Sequence, residues 1–191
     1  MPTWPTTPVP QSVDDVMPNV PIATFTPDQP GYEIRRRPGS TIRSGFVLTY
    51  GNLSGNNRNI LRHFISNEIN FGATVFDWTM PLRNAMTISD ITTATVTTSS
   101  PHYFTKGQWV TVSHTVSADG NYRVASTANN TSLVLTGLSD TESTGLIRPH
   151  LPNALIVLEQ GRIPGYDKLM GPIADNYGLW NWSIAIQGVD S

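Results

Sequence analysis

The chain has 191 residues, a span that suits one domain with room for a small second one. Only 14% of them are charged, against ~25% in ordinary soluble domains, and the formal net charge of −2 argues against a general nucleic-acid binder. The absence of cysteine excludes disulfides, thiolate metal sites and a cysteine nucleophile, and no apolar run approaches the ~18–20 residues of a membrane helix. Low charge with ordinary apolar content suggests a surface covered by partners rather than by water.

Residues 1–21 carry proline at positions 2, 5, 8, 10, 18 and 21. Proline fixes φ and lacks a donor, so this reads as an extended arm with polyproline character. It has neither a basic n-region nor an apolar core, which sets it apart from a signal peptide. In an isolated monomer such an arm is a disordered tail. In an assembly it is expected to dock on a neighbouring subunit, anchored by Trp4, Val9, Val13 and Met17. All four charges in residues 1–33 are acidic (Asp14, Asp15, Asp28, Glu33). Residues 34–67 instead hold Arg35, Arg36, Arg37, Arg43, Arg58 and Arg62 with no acid. The asymmetry fits either solvated charge or complementary faces that meet head to tail. The second reading makes Trp4, Arg35, Arg36, Arg37 and Arg43 the candidate interface.

Phe46–Tyr50 reads as a strand leading through Gly51 to a helix. Ser54 is a good N-cap, and Ile60, Leu61, Phe64 and Ile65 recur at helical spacing, predicting a helix over 55–69 with Arg58, Asn59 and Arg62 largely off its apolar face. Asn70 and Gly72 tolerate the left-handed conformation that ends a helix. The β-branched and aromatic run Thr74–Trp78 predicts a strand with Phe76 and Trp78 on one side and Asp77 on the other, ending at Pro81. From Ile91 to Leu138 the chain turns to Thr, Ser and Val in short runs at the spacing of a small all-β unit, with Asp119-Gly120 as its strongest hairpin signal. Pro149 and Pro152 mark the return, and Ala154–Leu158 reads as a buried strand. Residues 161–177 read as loop. In the run from Trp180 to Val189, Trp180, Trp182, Ile184 and Ile186 alternate against polar or small residues, the cleanest half-buried strand in the chain.

The helix, the small-residue turn and the F-x-W-x-x-P sequence Phe76-Asp77-Trp78-Thr79-Met80-Pro81 resemble the minor tail proteins of long-tailed bacteriophages, the lambda-type tail protein M group. The resemblance covers about Ile34–Ser89 and Pro149–Val189. It implies a mainly β fold, a β-sandwich or barrel with one principal helix. Residues 22–89 and 149–191 would form a tail-tube-like module with the helix at 55–69, and Ile60, Leu61, Phe64, Phe76, Trp78, Trp180 and Trp182 in its core. Residues 90–148 would form an inserted small β unit. That unit is similar to one that recurs in phage structural proteins, through Pro101-His102, Lys106-Gly107 and Asn121-Tyr122.

The implied function is structural: a tail tip or baseplate component, a homo-oligomeric ring of six copies that continues the tail tube. It would be located in the virion tail, assembled in the bacterial cytoplasm. Its partners would be the tail tube protein and other tip or baseplate proteins, with no membrane and with DNA only as cargo in the channel. The alternative is a carbohydrate- or receptor-binding β module, with the Thr/Ser-rich unit and a tryptophan as the contact.

A reading for chemistry finds no convergent set, and predicts neither an enzyme nor a cofactor or metal site. His63, His102, His114 and His150 never fall at metal-ligand spacing. His63 reads as a packed or cap-satisfied histidine near the apolar helix face. Asp77 reads as exposed or paired to an arginine, with an acid/base pair to Glu68 as the less economical reading. The tryptophans are explained more simply by packing and anchoring than by sugar stacking.

Overall fold

The computed structural model describes residues 1–16, 23–25, 34–36, 45–157, 163, 166 and 180–188. The fold is mainly β, as the sequence predicts, with one principal helix against a large antiparallel sheet. In chain order, β1 (Ser12–Val16) is followed by a short hairpin of β2 (Ala23–Phe25) and β3 (Ile34–Arg36), which pair with each other outside the main sheet. Then come β4 (Gly45–Leu53), the helix α1 (Gly55–His63) and β5 (Phe76–Thr79).

The Ser54 hydroxyl accepts from the Asn57 amide at 3.3 Å, supplying the N-cap that the sequence predicts. After His63 the helix widens into a π turn over Phe64–Glu68, where the Ser66 hydroxyl donates to the Arg62 carbonyl at 2.8 Å. The chain then reverses through three consecutive positive φ angles at Asn70, Phe71 and Gly72. Asn70 and Gly72 were expected there. Phe71 was not: its bulky side chain takes a left-handed backbone at φ 54° and meets Tyr166 edge to face at 5.7 Å.

A first core lies between this helix and the sheet. It gathers Phe46, Leu48 and Tyr50 from β4, Leu61, Phe64 and Ile65 from the helical stretch, and Phe76 and Trp78 from β5. Trp182, Ile184 and Ile186 join it from β13 (Trp180–Gly188), whose predicted alternation is seen from Asn181 to Ile186, with Asn181 and Ser183 exposed. Ile60, expected in the core, is half-buried and stands outside it, and of Trp180 only the strand backbone lies among the described residues. Arg58 differs from expectation. It is only 8% exposed, because a three-residue step puts it on the same face as Leu61.

The remaining strands build a small closed barrel. They are β6 (Met86–Thr93), β7 (Thr95–Thr98), β8 (Trp109–Ser113), β9 (Gly120–Thr127) and β10 (Ser132–Thr136), with the short β11 (Asp140–Glu142) on the outer edge of β6. The long β12 (Gly145–Ile156) closes it: Gly145–Ile147 pair with β6 while Leu146–His150 pair with β8. Closure gives each of the six barrel strands a partner on both sides and leaves β11 as the added edge. A second core fills the barrel, from Ile88, Ile91 and Val96 to Leu133, Leu135 and Ile147. Its residues therefore begin slightly before the expected start at 90 and reach 147.

β12 joins the two cores, passing from β6 and β8 to β5 at His150–Ala154 and to β13 at Ala154–Ile156. Pro149 and Pro152, expected to mark the return, lie within this strand where it leaves β8 for β5. Pro152 sits at the register shift between Leu151 and Ala154, where a missing donor is tolerated. At Asp119 a loop replaces the expected tight turn: the carboxylate accepts from the Thr115 amide at 2.9 Å and its hydroxyl at 2.8 Å.

Candidate functional site

The amino-terminal residues decide where an interface can lie. Trp4 was expected to anchor on a neighbour. It is instead part of the chain's own core, 5% exposed, with its ring 5.1 Å from Phe64 and 5.2 Å from Phe76. Its indole donates to the Tyr50 hydroxyl at 2.9 Å, and burial pushes the Tyr50 hydroxyl far above its ordinary pKa. The backbone follows the ring. The Trp4 amide donates to the Asp77 carbonyl at 2.8 Å, and the Asp77 amide to the Pro2 carbonyl at 2.9 Å. Further on, β1 pairs with β4 along its whole length.

The described part of the arm is thus laid on its own body. Proline explains how: a segment poor in donors can cover a core without leaving amides unpaired. β1 is one edge of the large sheet, and it carries exposed Asp14 and Asp15. Edge carboxylates discourage strand addition by like chains.

Of the candidate arginines, Arg35 and Arg36 belong to the β3 backbone, paired with Thr24 and Ala23. Arg37 and Arg43 lie outside the described residues. The structure thus separates the candidate set, with Trp4 in the core and two of the arginines on a hairpin outside the main sheet.

The sequence missed a polar cluster where β5 crosses β12. His150 is 3% exposed, with Nδ1 2.9 Å from Thr79 Oγ1 and 3.7 Å from Asp77 Oδ1. Burial holds its imidazole below the ordinary value; Asp77 opposes this, Arg148 adds to it, and a hydrogen bond from the imidazole to the Trp78 backbone opposes it. Asp77 is therefore half-buried beside a histidine, where exposure or an arginine partner was expected. Both partners converge on one ring nitrogen. A nucleophile–base–carboxylate relay needs opposite nitrogens, so this arrangement fastens β5 to β12 rather than forming a relay.

His63, expected to be packed or cap-satisfied, is exposed rather than packed, with Nδ1 3.7 Å from Glu68 Oε1, so Glu68 and Asp77 have different partners. His102, by contrast, is buried in the barrel and accepts from the Phe104 amide through Nδ1 at 3.3 Å. Among the described residues, no three of His, Asp and Glu gather as a metal site.

On the barrel surface Trp109 is 39% exposed, and its Cα partner on β9 is Arg123. Searched against known proteins, the chain matches no family model and no curated protein.

Proposed function

We propose that this chain is a structural subunit of a bacteriophage tail tip or baseplate, six copies of which form a ring that continues the tail tube and links it to distal tail proteins. The observation that carries the reading is the resemblance around Phe76–Pro81, together with the way its elements pack. The strand before the helix, the helix, the motif strand and the closing C-terminal strand share one core around Phe76 and Trp78. A charged fraction of 14% is in keeping with a surface largely covered by neighbours.

A closed ring needs two different, complementary faces on each subunit. With Trp4 and β1 committed to their own subunit, the basic face rests on the stretch around Arg35, Arg36, Arg37 and Arg43. The acidic face rests on the exposed carboxylates of β1. A rim pair of this kind is worth only ~0–1 kcal/mol, but a ring repeats it. The test is an Arg35/Arg36/Arg37→Ala variant supplied to assembling tails and followed by electron microscopy. Tails that stall or lack a tip are the expected result. Normal tails would remove the arginines from the interface, and absence of the wild-type chain from tails would remove the function.

The alternative, a carbohydrate-binding module, has one observation of its own in the exposed Trp109 beside Arg123. An aromatic face flanked by a planar donor suits a sugar ring. Retention on polysaccharide columns that is lost in Trp109→Ala would favour it.

A further inference from the structure

The amino-terminal segment and the turn after β5 enclose a cavity of about 660 Å³. Its walls are apolar: Trp4, Val9, Trp78, Met80 and Leu82. Trp4 and Trp78 are 5% and 2% exposed and form the floor, whereas Val9 and Leu82, 54% and 47% exposed, stand at the mouth. The charged residues lining it are Arg83 and Arg148, with no carboxylate among the lining residues.

The two arginines differ. Arg83 is committed, donating to the Pro10 carbonyl through Nη2 and to Asn84 Oδ1 through Nε, so it ties the amino-terminal segment across the cavity. Arg148 donates to the Met80 carbonyl through Nη1 at 3.1 Å, but its Nε is buried with no hydrogen-bond partner. A guanidinium stays charged at every physiological pH, so a buried, unmet donor on it is costly. That nitrogen has no accessible surface, so what a ligand in the cavity meets is the guanidinium's charge rather than this donor, and an anionic oxygen matches that charge best.

We propose that this cavity binds a small amphipathic monoanion, with its carboxylate on Arg148 and its apolar body against Trp4, Trp78 and Met80. The volume falls within the ~300–1,000 Å³ of ligand pockets, which pair apolar walls with a few placed polar groups. A metal cation is disfavoured by walls whose charges are all positive. A sugar would leave most of its hydroxyls against hydrocarbon. The proposal stands independently of the ring reading.

The experiment is isothermal titration of the full chain with decanoate, below its aggregation range, and with decanol as the neutral counterpart. Decanoate is expected to bind, with decanol weaker by about tenfold or more. Arg148→Met is expected to weaken decanoate by a similar factor and leave decanol unchanged. Leu82→Trp, placed at the exposed mouth, is expected to abolish binding of both with unchanged circular dichroism. No decanoate binding, equal affinity for the two probes, or undiminished binding in Arg148→Met would each overturn the proposal. Should Arg148→Met fail to fold, the wild-type comparison and Leu82→Trp still decide.

Discussion

Replacing Trp4 by alanine separates a docked amino terminus from a free arm. In the structure the ring is 5% exposed between Phe64 and Phe76, and its indole meets Tyr50. Truncating a buried tryptophan costs ~3–5 kcal/mol, from lost transfer energy and the cavity left behind. In a chain of 191 residues each kcal/mol moves the midpoint of thermal unfolding by roughly 2–4 °C, so a fall of about 6–20 °C is expected. Trp4→Phe keeps much of the ring packing but removes the indole donor from the buried Tyr50 hydroxyl. It should cost about 1–2 kcal/mol, or roughly 2–8 °C. The assay is thermal unfolding of the purified chain by circular dichroism, with both variants beside wild type. A residue on a free arm would change stability by no more than about 0.5 kcal/mol. A Trp4→Ala midpoint within about 2 °C of wild type would refute the placement of this segment on its own core.

Three further outcomes follow from the same geometry. His150 has a depressed pKa in the folded chain, so on acidification the unfolded chain takes up its proton first, near the ordinary value of 6.5. Its stabilising share is complete above about 6.5 and is lost as the pH falls toward the folded value. His150→Asn should flatten the urea-midpoint profile over that window, and parallel profiles would contradict it. Met86 and Ile147 are paired neighbours, so replacing residues 87–147 with a short Gly-Ser link removes the barrel without stretching the rest. The shortened chain should still unfold cooperatively, whereas loss of all structure would show that the first core depends on the second. Ser54→Ala removes the helix cap and should cost about 1 kcal/mol, roughly 2–4 °C, while an unchanged midpoint would discount the cap.

The legible parts of the fold were those written in local chemistry. Ser54, the apolar helical spacing, Asn70 with Gly72, and the alternation through Trp182, Ile184 and Ile186 each depend on near neighbours, and each appears in the structure. Trp4 carried no such signal. It sits in a proline-rich tract without periodicity, and its hydrogen-bond partner is 46 positions away. β12 was legible only in part, because Pro149 and Pro152 mark the return but carry no strand signal, although a strand that changes partners at those points can accommodate both. Barrel closure depends on β12 meeting two strands at once, a long-range pairing with no local mark. His150 is likewise placed by the β5–β12 crossing, and the cavity by an amino terminus that folds back. Arg58 was readable in principle: its step of three to Leu61 and of seven to Ile65 marks the buried face, but its charge argued the other way.

The ring itself is tested most directly by the mass of the particle the chain forms. Sedimentation velocity of the purified chain, with negative-stain images of the same sample, measures it. The account predicts annular particles of about six times the 20.9 kDa chain mass, dispersed by salt as their charge pairs are screened. A 20.9 kDa monomer at every concentration, coupled with absence of the chain from purified tails, would contradict it.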